Sequence, residues 1–410
     1  TFGTSWPIVV LGPRQGQYCL MVKKPRRLLL SGLILLSVMA LLNIDSFTPG
    51  SGLRAFATNE GSTAFTPLKI TQVTLSSSIY VLATTGCSRF SCLRFLRTNV
   101  NLSKFESVTP PPVREIGGLF NFDLDSLQFA NVDDGYATVG ESNPLSLYVT
   151  LNGARSWHQV TIQKGATIFD LTVTSDKVYA ITTLCSPNGD KCRDYRIACS
   201  SLNAKHWSSA VLPGSARFDG TGWGFFGKPG AYGADVWLSE QTPQNSVIFF
   251  SQNSGRTFKK IAAPRLGSVA GCSLTAVSTK ALWAECPTGM QVSFASSSDA
   301  GAAWRSFHQQ QFSGTGGGDF DPVSSQLAYL WYGGTGPFDR YSGSPPVANS
   351  VPVPPCSTSG SGFGNLVFSN VNDGVAICTS GSNVVSSYLL MTTDGGHSWE
   401  NVLRVGKNEN

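Results

Sequence analysis

The chain has 410 residues, of which only 13% are charged, with 43 Gly, 22 Pro and 4 Met, and a formal charge of +5. So many turn formers and so few charges exclude a helical bundle or coiled coil and favour short strands joined by turns. Five of the 30 basic residues (Arg14, Lys23, Lys24, Arg26, Arg27) and one acid (Asp45) fall within residues 1–45; the body is nearly neutral, which excludes nucleic acid, a partner that demands a concentrated cationic surface.

Lys23-Lys24-Pro25-Arg26-Arg27 precedes an apolar run over 28–42, interrupted by Ser31, Gly32 and Ser37. A positive flank before such a run is the layout of a secretory signal or a short signal anchor. Residues 21–45 are assigned to that helix, 1–20 to a segment upstream of a start at Met21, and 46–64 to a linker. The nearest small-x-small site, Ala55-Phe56-Ala57, lies well past the run. That distance favours an uncleaved anchor in the membrane, with the body outside, over a cleaved signal. Either way export is the expectation.

Nine of the ten cysteines follow the apolar run: Cys87 and Cys92, then Cys185, Cys192 and Cys199, then Cys272 and Cys286, then Cys356 and Cys378. Cys272 and Cys286 are equidistant from Thr279 in a hairpin turn at 278–280, so their side chains face each other across antiparallel strands as a disulfide. An odd count leaves one thiol unpaired, expected in the 185–199 group. The four His share no ligand spacing, and neither a metal nor a cofactor is assigned.

Four segments repeat one pattern: Thr150-Leu-Asn-Gly-Ala-Arg-Ser-Trp157, Ser251-Gln-Asn-Ser-Gly-Arg-Thr-Phe258, Ser297-Ser-Asp-Ala-Gly-Ala-Ala-Trp304 and Thr392-Thr-Asp-Gly-Gly-His-Ser-Trp399. A hydroxyl and an Asx side chain cap a tight turn, small residues tolerate positive φ, and a terminal aromatic bound for burial pins the hairpin tip to a core. Weaker copies occupy 98–105 and 200–207. The terminal aromatics recur every 46–52 residues except for a last gap of 95, which places one eroded copy near residue 350, in the Pro-rich stretch 344–355. Strand-turn-strand segments precede the boxes at 73–83, 127–138, 171–181, 217–225, 274–284, 320–330 and 366–377.

Seven units of short strands at this period predict an all-β, seven-bladed β-propeller of four-stranded antiparallel blades over 65–405, with a tail at 406–410 and the apolar N-terminal helix ahead of it. The strand-turn-strand segment supplies each inner pair and the box hairpin the outer pair. Trp157→Ala or Trp304→Ala is expected to destabilise the ring.

The box resembles the Asp-box, or BNR repeat, of sialidases, sortilin-type receptors, xyloglucan-cleaving hydrolases and propellers like the photosystem II stability and assembly factor. Residues 392–399 match it fully and 297–304 nearly so. The phrase Phe-x-Asn-x-x-Asp-Gly-Tyr-Ala at 129–137, echoed at 368–376, is most similar to the last of these families. The resemblance implies that Asn152, Trp157, Asn253, Phe258, Asp299, Trp304, Asp394 and Trp399 are structural and remote from the ring axis.

Sialidase chemistry needs three arginines, a Tyr nucleophile with a Glu partner and an acid/base carboxyl. The Arg-Ile-Pro phrase of those enzymes is missing, since Pro112-Val113-Arg114-Glu115 is not that phrase, and no catalytic residue is assigned. The glycine-rich 220–227 reads as a packed turn, and 314–321 as a flexible connection rather than a Ca²⁺ site. The expected function is an exported or membrane-anchored, non-enzymatic binding or complex-assembly scaffold for a protein or glycan ligand. The alternative is an exported carbohydrate-active protein, either a sialidase-like glycoside hydrolase or a glycan-binding module.

Overall fold

A computed structural model describes residues 65–72, 78–86, 91–99, 102, 104–114, 122–140, 145–185, 192–213, 227–241, 246–264, 271–288, 291–311, 319–331, 337–354, 365–380 and 386–402. The apolar run at 28–42, the Ala55-Phe56-Ala57 site, the strand-turn-strand assignment at 217–225, Cys87 and Cys356 lie outside them. Among the described residues no helix is long and apolar enough to cross a membrane.

Seven antiparallel sheets of four strands each, paired in sequence order, span residues 65–108, 124–160, 167–211, 230–261, 273–311, 319–351 and 365–401. They are the blades of a seven-bladed propeller, numbered 1 to 7 here. The second strand of a blade is the most apolar, because both faces of the sheet meet neighbouring blades. In blade 3, for example, Val178, Tyr179, Ala180 and Ile181 are all fully buried. Buried apolar side chains form seven clusters, one at each blade interface. Every blade is one unbroken segment of chain, so no blade shares strands with another, and at the closing interface between blades 7 and 1 Ile79, Val81 and Leu102 pack against Val375, Ile377 and Leu389.

A buried aromatic on the second strand donates a hydrogen bond to a backbone carbonyl of the next blade at six of the seven interfaces. The Tyr80 hydroxyl reaches Val132 O at 2.8 Å, and that of Tyr136 reaches Leu202 O. Tyr179 reaches Gly233 O at 2.6 Å, Trp237 Nε1 reaches Ala300 O at 3.0 Å, Trp283 Nε1 reaches Ser324 O at 2.9 Å, and Tyr329 reaches Val371 O at 2.8 Å. Burial raises the Tyr136 and Tyr179 hydroxyls well above their ordinary pKa, so both remain donors. Blade 7 carries Val375 at this position, and the closing seam has no such donor.

Two expected inner pairs are corrected. In blade 4 it is Gly230–Tyr232 and Asp235–Gln241, not 217–225. The alternation of Gly with Trp223 and Phe225 imitates a strand pair, but Trp237 is the indole that stands the same 14 residues before its box as Tyr136 and Trp283. In blade 1 the innermost strand is Phe65–Gln72, upstream of the expected Val73-Thr-Leu. The eroded box of blade 6 is a turn at 343–346 between Phe338–Ser342 and Val347–Val351. Prolines there cannot donate the amide hydrogen bonds on which the other turns rely.

The phrase at 129–137 has a physical basis. Asn131 Oδ1 accepts the N–H groups of Asp133 and Asp134, both at 2.9 Å, and its Nδ2 donates to Asp134 Oδ2 at 2.7 Å. Asn370 and Asp373 repeat this arrangement in blade 7. Any Cβ on Gly135 would stand 2.3 Å from the Phe129 ring, which lies under Tyr80 at 3.8 Å.

Candidate functional site

All four boxes join the third and fourth strands of their blades and share one geometry. The leading hydroxyl oxygen accepts the N–H four residues on: Ala154 at 3.0 Å, Gly255 at 3.0 Å, Gly301 at 2.8 Å and Gly396 at 2.9 Å. The same hydroxyl donates to Oδ1 of Asn152, Asn253, Asp299 or Asp394 at 2.8–3.0 Å. That Oδ1 in turn accepts the N–H of Ser156, Thr257, Ala303 or Ser398 at 2.8–3.0 Å. Residues four and five of each box take positive φ, for example 61° at Ala300 and 86° at Gly301. Position five faces the preceding blade so closely that a Cβ on Gly301 would meet Ile261 Cδ1 at 2.6 Å.

These contacts also set the box carboxyls. Asp299 is held below its ordinary value chiefly by the Ala303 N–H. For Asp394, desolvation is the largest single influence and raises it, but the Ser398 and Thr392 hydrogen bonds together with His397 outweigh it and hold it at about 2. A depressed carboxyl stabilises the fold above its unfolded pKa and loses that contribution as pH falls through its folded value. Asp299→Ala or Asp394→Ala is expected to cost about 1 kcal/mol, as loss of a capping side chain does, read as a lower urea midpoint at neutral pH.

The box aromatics Trp157, Phe258, Trp304 and Trp399 are half-buried rather than engulfed. They lie at the outer rim, where only one side of the ring is covered. Trp157 Nε1 donates to Thr109 O and Trp304 Nε1 to Ala262 O, each at 2.9 Å, clamping the preceding blade. Trp399 follows the blade with the eroded turn, and its Nε1 has no hydrogen-bond partner among the described residues. Trp157→Phe and Trp304→Phe should therefore each cost about 1 kcal/mol for the lost hydrogen bond, and Trp399→Phe less than either, by thermal or urea unfolding.

Cys272 and Cys286 form a disulfide across the inner hairpin of blade 5, and Cys185 bonds Cys192 across the second and third strands of blade 3. Cys378 is also disulfide-bonded. Among the described residues Cys199 is the free thiol, and burial raises its pKa.

The inner strands bring polar side chains together at the axis. In strand register, Ser126, Asp170, Lys228, Ser273, Asp319 and Asn365 form one half-buried layer. Gln128, Thr172, Thr275 and Asp321 stand two residues further along their strands. Several of this second group tie adjacent blades. Gln128 donates to Leu171 O at 2.8 Å and accepts Val173 N–H at 3.2 Å; Thr172 donates to Pro229 O at 2.7 Å; Asp321 accepts Phe368 N–H at 2.5 Å.

Glu285, on the second strand of blade 5, pairs in register with Ser273 and makes no hydrogen bond or ion pair among the described residues. Desolvation lifts it to about 7 against the opposing pull of the Lys228 ammonium. Asp321 is likewise lifted to about 7 by desolvation, opposed by the Phe368 N–H and Lys228. Sequence reasoning missed these groups because residues of different blades meet at the axis. The signal available in hindsight is a carboxylate in the Trp283-Ala284-Glu285 strand where apolar residues dominate.

Raised carboxyls stay protonated in the folded ring over a range where the unfolded chain has ionised. Stability therefore falls as pH climbs from the ordinary carboxylate range to about 7 and is level above it. Glu285→Gln is expected to flatten that slope and to raise the urea midpoint at pH 8; an unchanged slope would contradict the assignment.

No protein-family model matches the chain, and no curated protein matches it. Several solved structures share its fold. A puromycin hydrolase S511A mutant complexed with PGG is 12% identical, with a TM-score of 0.53 over 83% of this chain and 55% of that one. A puromycin-hydrolysing peptidase of Mycobacterium tuberculosis is 9% identical, with a TM-score of 0.53 over 83% of this chain and 53% of that one. The chain thus spans about half the length of these two proteins. YCF48 from Cyanidioschyzon merolae is 13% identical, with a TM-score of 0.45 over 73% of this chain and 88% of that one; another YCF48 structure holds a D1 peptide.

Proposed function

We propose that this propeller is an exported, non-enzymatic binding and assembly scaffold, secreted or held at the membrane by residues 21–45, whose ligand is a protein or glycan engaged at the ring axis. The observation that carries this reading is how the polar side chains divide. The repeated Asx residues are engaged in holding their own turns at the rim, while the half-buried layer of Ser126, Asp170, Lys228, Ser273, Asp319 and Asn365 gathers polar side chains of successive blades at the axis. The likeness of the 129–137 phrase to assembly-factor propellers, with the turns read as Asp-boxes, supports the same role. Export is supported by the Cys185–Cys192 and Cys272–Cys286 bonds, which persist in oxidising compartments.

Crosslinking followed by pull-down from membranes tests the scaffold: a specific partner lost on mutation of axial residues is expected. Fractionation with mass mapping of the cysteines tests export, and a fully reduced, cytosolic chain would refute it. A second reading, an exported glycoside hydrolase, is favoured by one observation, the two carboxyls on adjacent blades lifted to about 7. Turnover of sialosides or of plant or bacterial polysaccharides, abolished by Glu285→Gln and by Asp321→Asn, would establish it and overturn the scaffold.

A further inference from the structure

Net neutrality of the body hides an uneven distribution of charge around the ring. The outer hairpins of blades 1–4 (91–108, 146–160, 192–211 and 246–261) carry ten basic and two acidic residues, whereas those of blades 5–7 (291–311, 338–351 and 386–401) carry two basic and four acidic ones. Both acids on the basic side, Glu106 and Asp194, are already paired with Arg97 and Arg196 of their own hairpins. Two changes to the repeated turn act in the same direction. Its sixth residue is Arg155, Lys205 or Arg256 in blades 2–4, all exposed, but Ala302 in blade 5 and His397 in blade 7. Its Asx is neutral in blades 2–4, where Asn152, Asn203 and Asn253 accept turn N–H groups at 2.9–3.1 Å, and a carboxylate in blades 5 and 7. An amide oxygen holds the turn as a carboxylate does, so the turn itself is indifferent to the charge.

Lys104, Arg155, Lys205, Arg256, Lys259 and Lys260 are exposed and form no ion pair among the described residues. The exposed acids Asp133 and Asp176 of blades 2 and 3 lie on inner hairpin turns instead. Because the outer strands make up the circumference, the cations follow a convex line from blade to blade. A flat bilayer or a rigid duplex touches such a line at one or two blades; a flexible chain follows it. Between the cations stand exposed hydroxyl and amide side chains such as Ser156, Gln159, Ser208 and Thr257. Exposed large apolar residues on these hairpins are limited, among the described residues, to Leu151 and Val211, too few for the apolar core of a protein interface. Phe105, Trp157, Trp207 and Phe258 are half-buried, which leaves no row of free ring faces for stacked bases.

We propose that the outer rim of blades 1–4 binds an acidic polysaccharide, a flexible chain whose carboxylate or sulfate groups meet these six cations in turn and whose hydroxyls bond the side chains between them. Each exposed contact is weak alone, and affinity comes from their number together with release of the counterions that the polyanion carries. Unpaired like charges along one rim repel each other in the free protein, and a bound polyanion relieves that repulsion. The neutral to acidic hairpins of blades 5–7 leave the opposite side of the ring free. This rim is distinct from the axial layers, and its ligand is independent of the scaffold reading.

The test titrates the full chain, in detergent micelles, against fluorescent oligosaccharides of equal length, read by anisotropy: an oligomer of galacturonic acid, a sulfated glucose oligomer and a neutral glucose oligomer. Both acidic oligomers should bind and the neutral one should not, with affinity falling as salt rises. The tighter of the two identifies carboxylate or sulfate as the group recognised. Arg155→Gln, Lys205→Gln and Arg256→Gln combined should weaken binding about tenfold, the effect of losing three exposed ion pairs. Ser325→Glu, Val347→Glu and Thr393→Glu combined make the same change in net charge at exposed positions of blades 6 and 7. That variant should lose about twofold at most, since salt screens distant charges.

Urea unfolding checks the fold of both variants, and the comparison of acidic with neutral oligomers on the unaltered chain needs neither. Equal losses in the two variants, equal binding of the neutral oligomer, no binding of either acidic oligomer, or tighter binding of charge-matched oligoglutamate or single-stranded DNA overturns the inference while leaving the axial scaffold intact.

Discussion

Trp237→Ala is expected to lower the unfolding free energy by about 3–5 kcal/mol, the range for deleting a fully buried Trp or Phe side chain. Trp237 is inaccessible to solvent, stacks on Phe250 with ring centroids 4.8 Å apart, and packs with Cys272, Leu274 and Cys286 of the next blade. Its Nε1 also holds the positive-φ residue Ala300 of the next box through the carbonyl oxygen. One substitution thus opens a cavity and releases a turn. Trp237→Phe separates the two effects: it keeps most of the apolar area and leaves Ala300 O without its donor, for a loss of about 1–3 kcal/mol. Equilibrium urea unfolding measures both, and a cost for Trp237→Ala no greater than that for Trp237→Phe would refute the cavity argument.

Ile377→Ala should cost about 2–5 kcal/mol, with a signature unlike that of the same change at Ile181. Both side chains are fully buried on second strands at equivalent register. Ile181 lies at an interface that also has the Tyr179 to Gly233 hydrogen bond and aromatic packing, and the chain itself continues from blade 3 into blade 4. Ile377 lies in the closing seam, where blades 7 and 1 are not consecutive in the chain and, among the described residues, no second-strand aromatic donor assists the packing. Loss of its methyl groups should open the ring locally before it unfolds globally. Hydrogen exchange should then accelerate in Ser78–Gly86 and Gly374–Ser380 at a lower free energy than in Lys177–Cys185. Uniform acceleration in both variants would show that the seam is as strong as the other interfaces.

Much of the architecture was legible because local chemistry repeats it. The hydroxyl, Asx and small residues of each box act within eight residues, so their spacing counted the blades, and even the eroded copy fell where the structure has the turn at 343–346. Failures arose where two segments offered the same local pattern. The Gly and aromatic alternation at 217–225 and that at 230–238 read alike in isolation, and only pairing of Trp237 with Phe250 on the next strand distinguishes the true inner strand. The box indoles read as buried because Trp usually is, but a hairpin tip at the rim has neighbours on one side only.

The chain by itself determined the repeat, the all-β class, the seven units and the turns, because capping, positive φ and strand alternation depend on neighbours a few residues away. Only the tertiary structure decided which aromatic bridges which blade, why the seam at Val375 lacks such a bridge, and that the Lys228 ammonium acts on both Glu285 and Asp321. Those residues lie on three successive blades, tens of residues apart in sequence, and packing of the blades brings Lys228 within electrostatic reach of each carboxyl. Their desolvation, and hence their chemistry, exists only once the ring has formed.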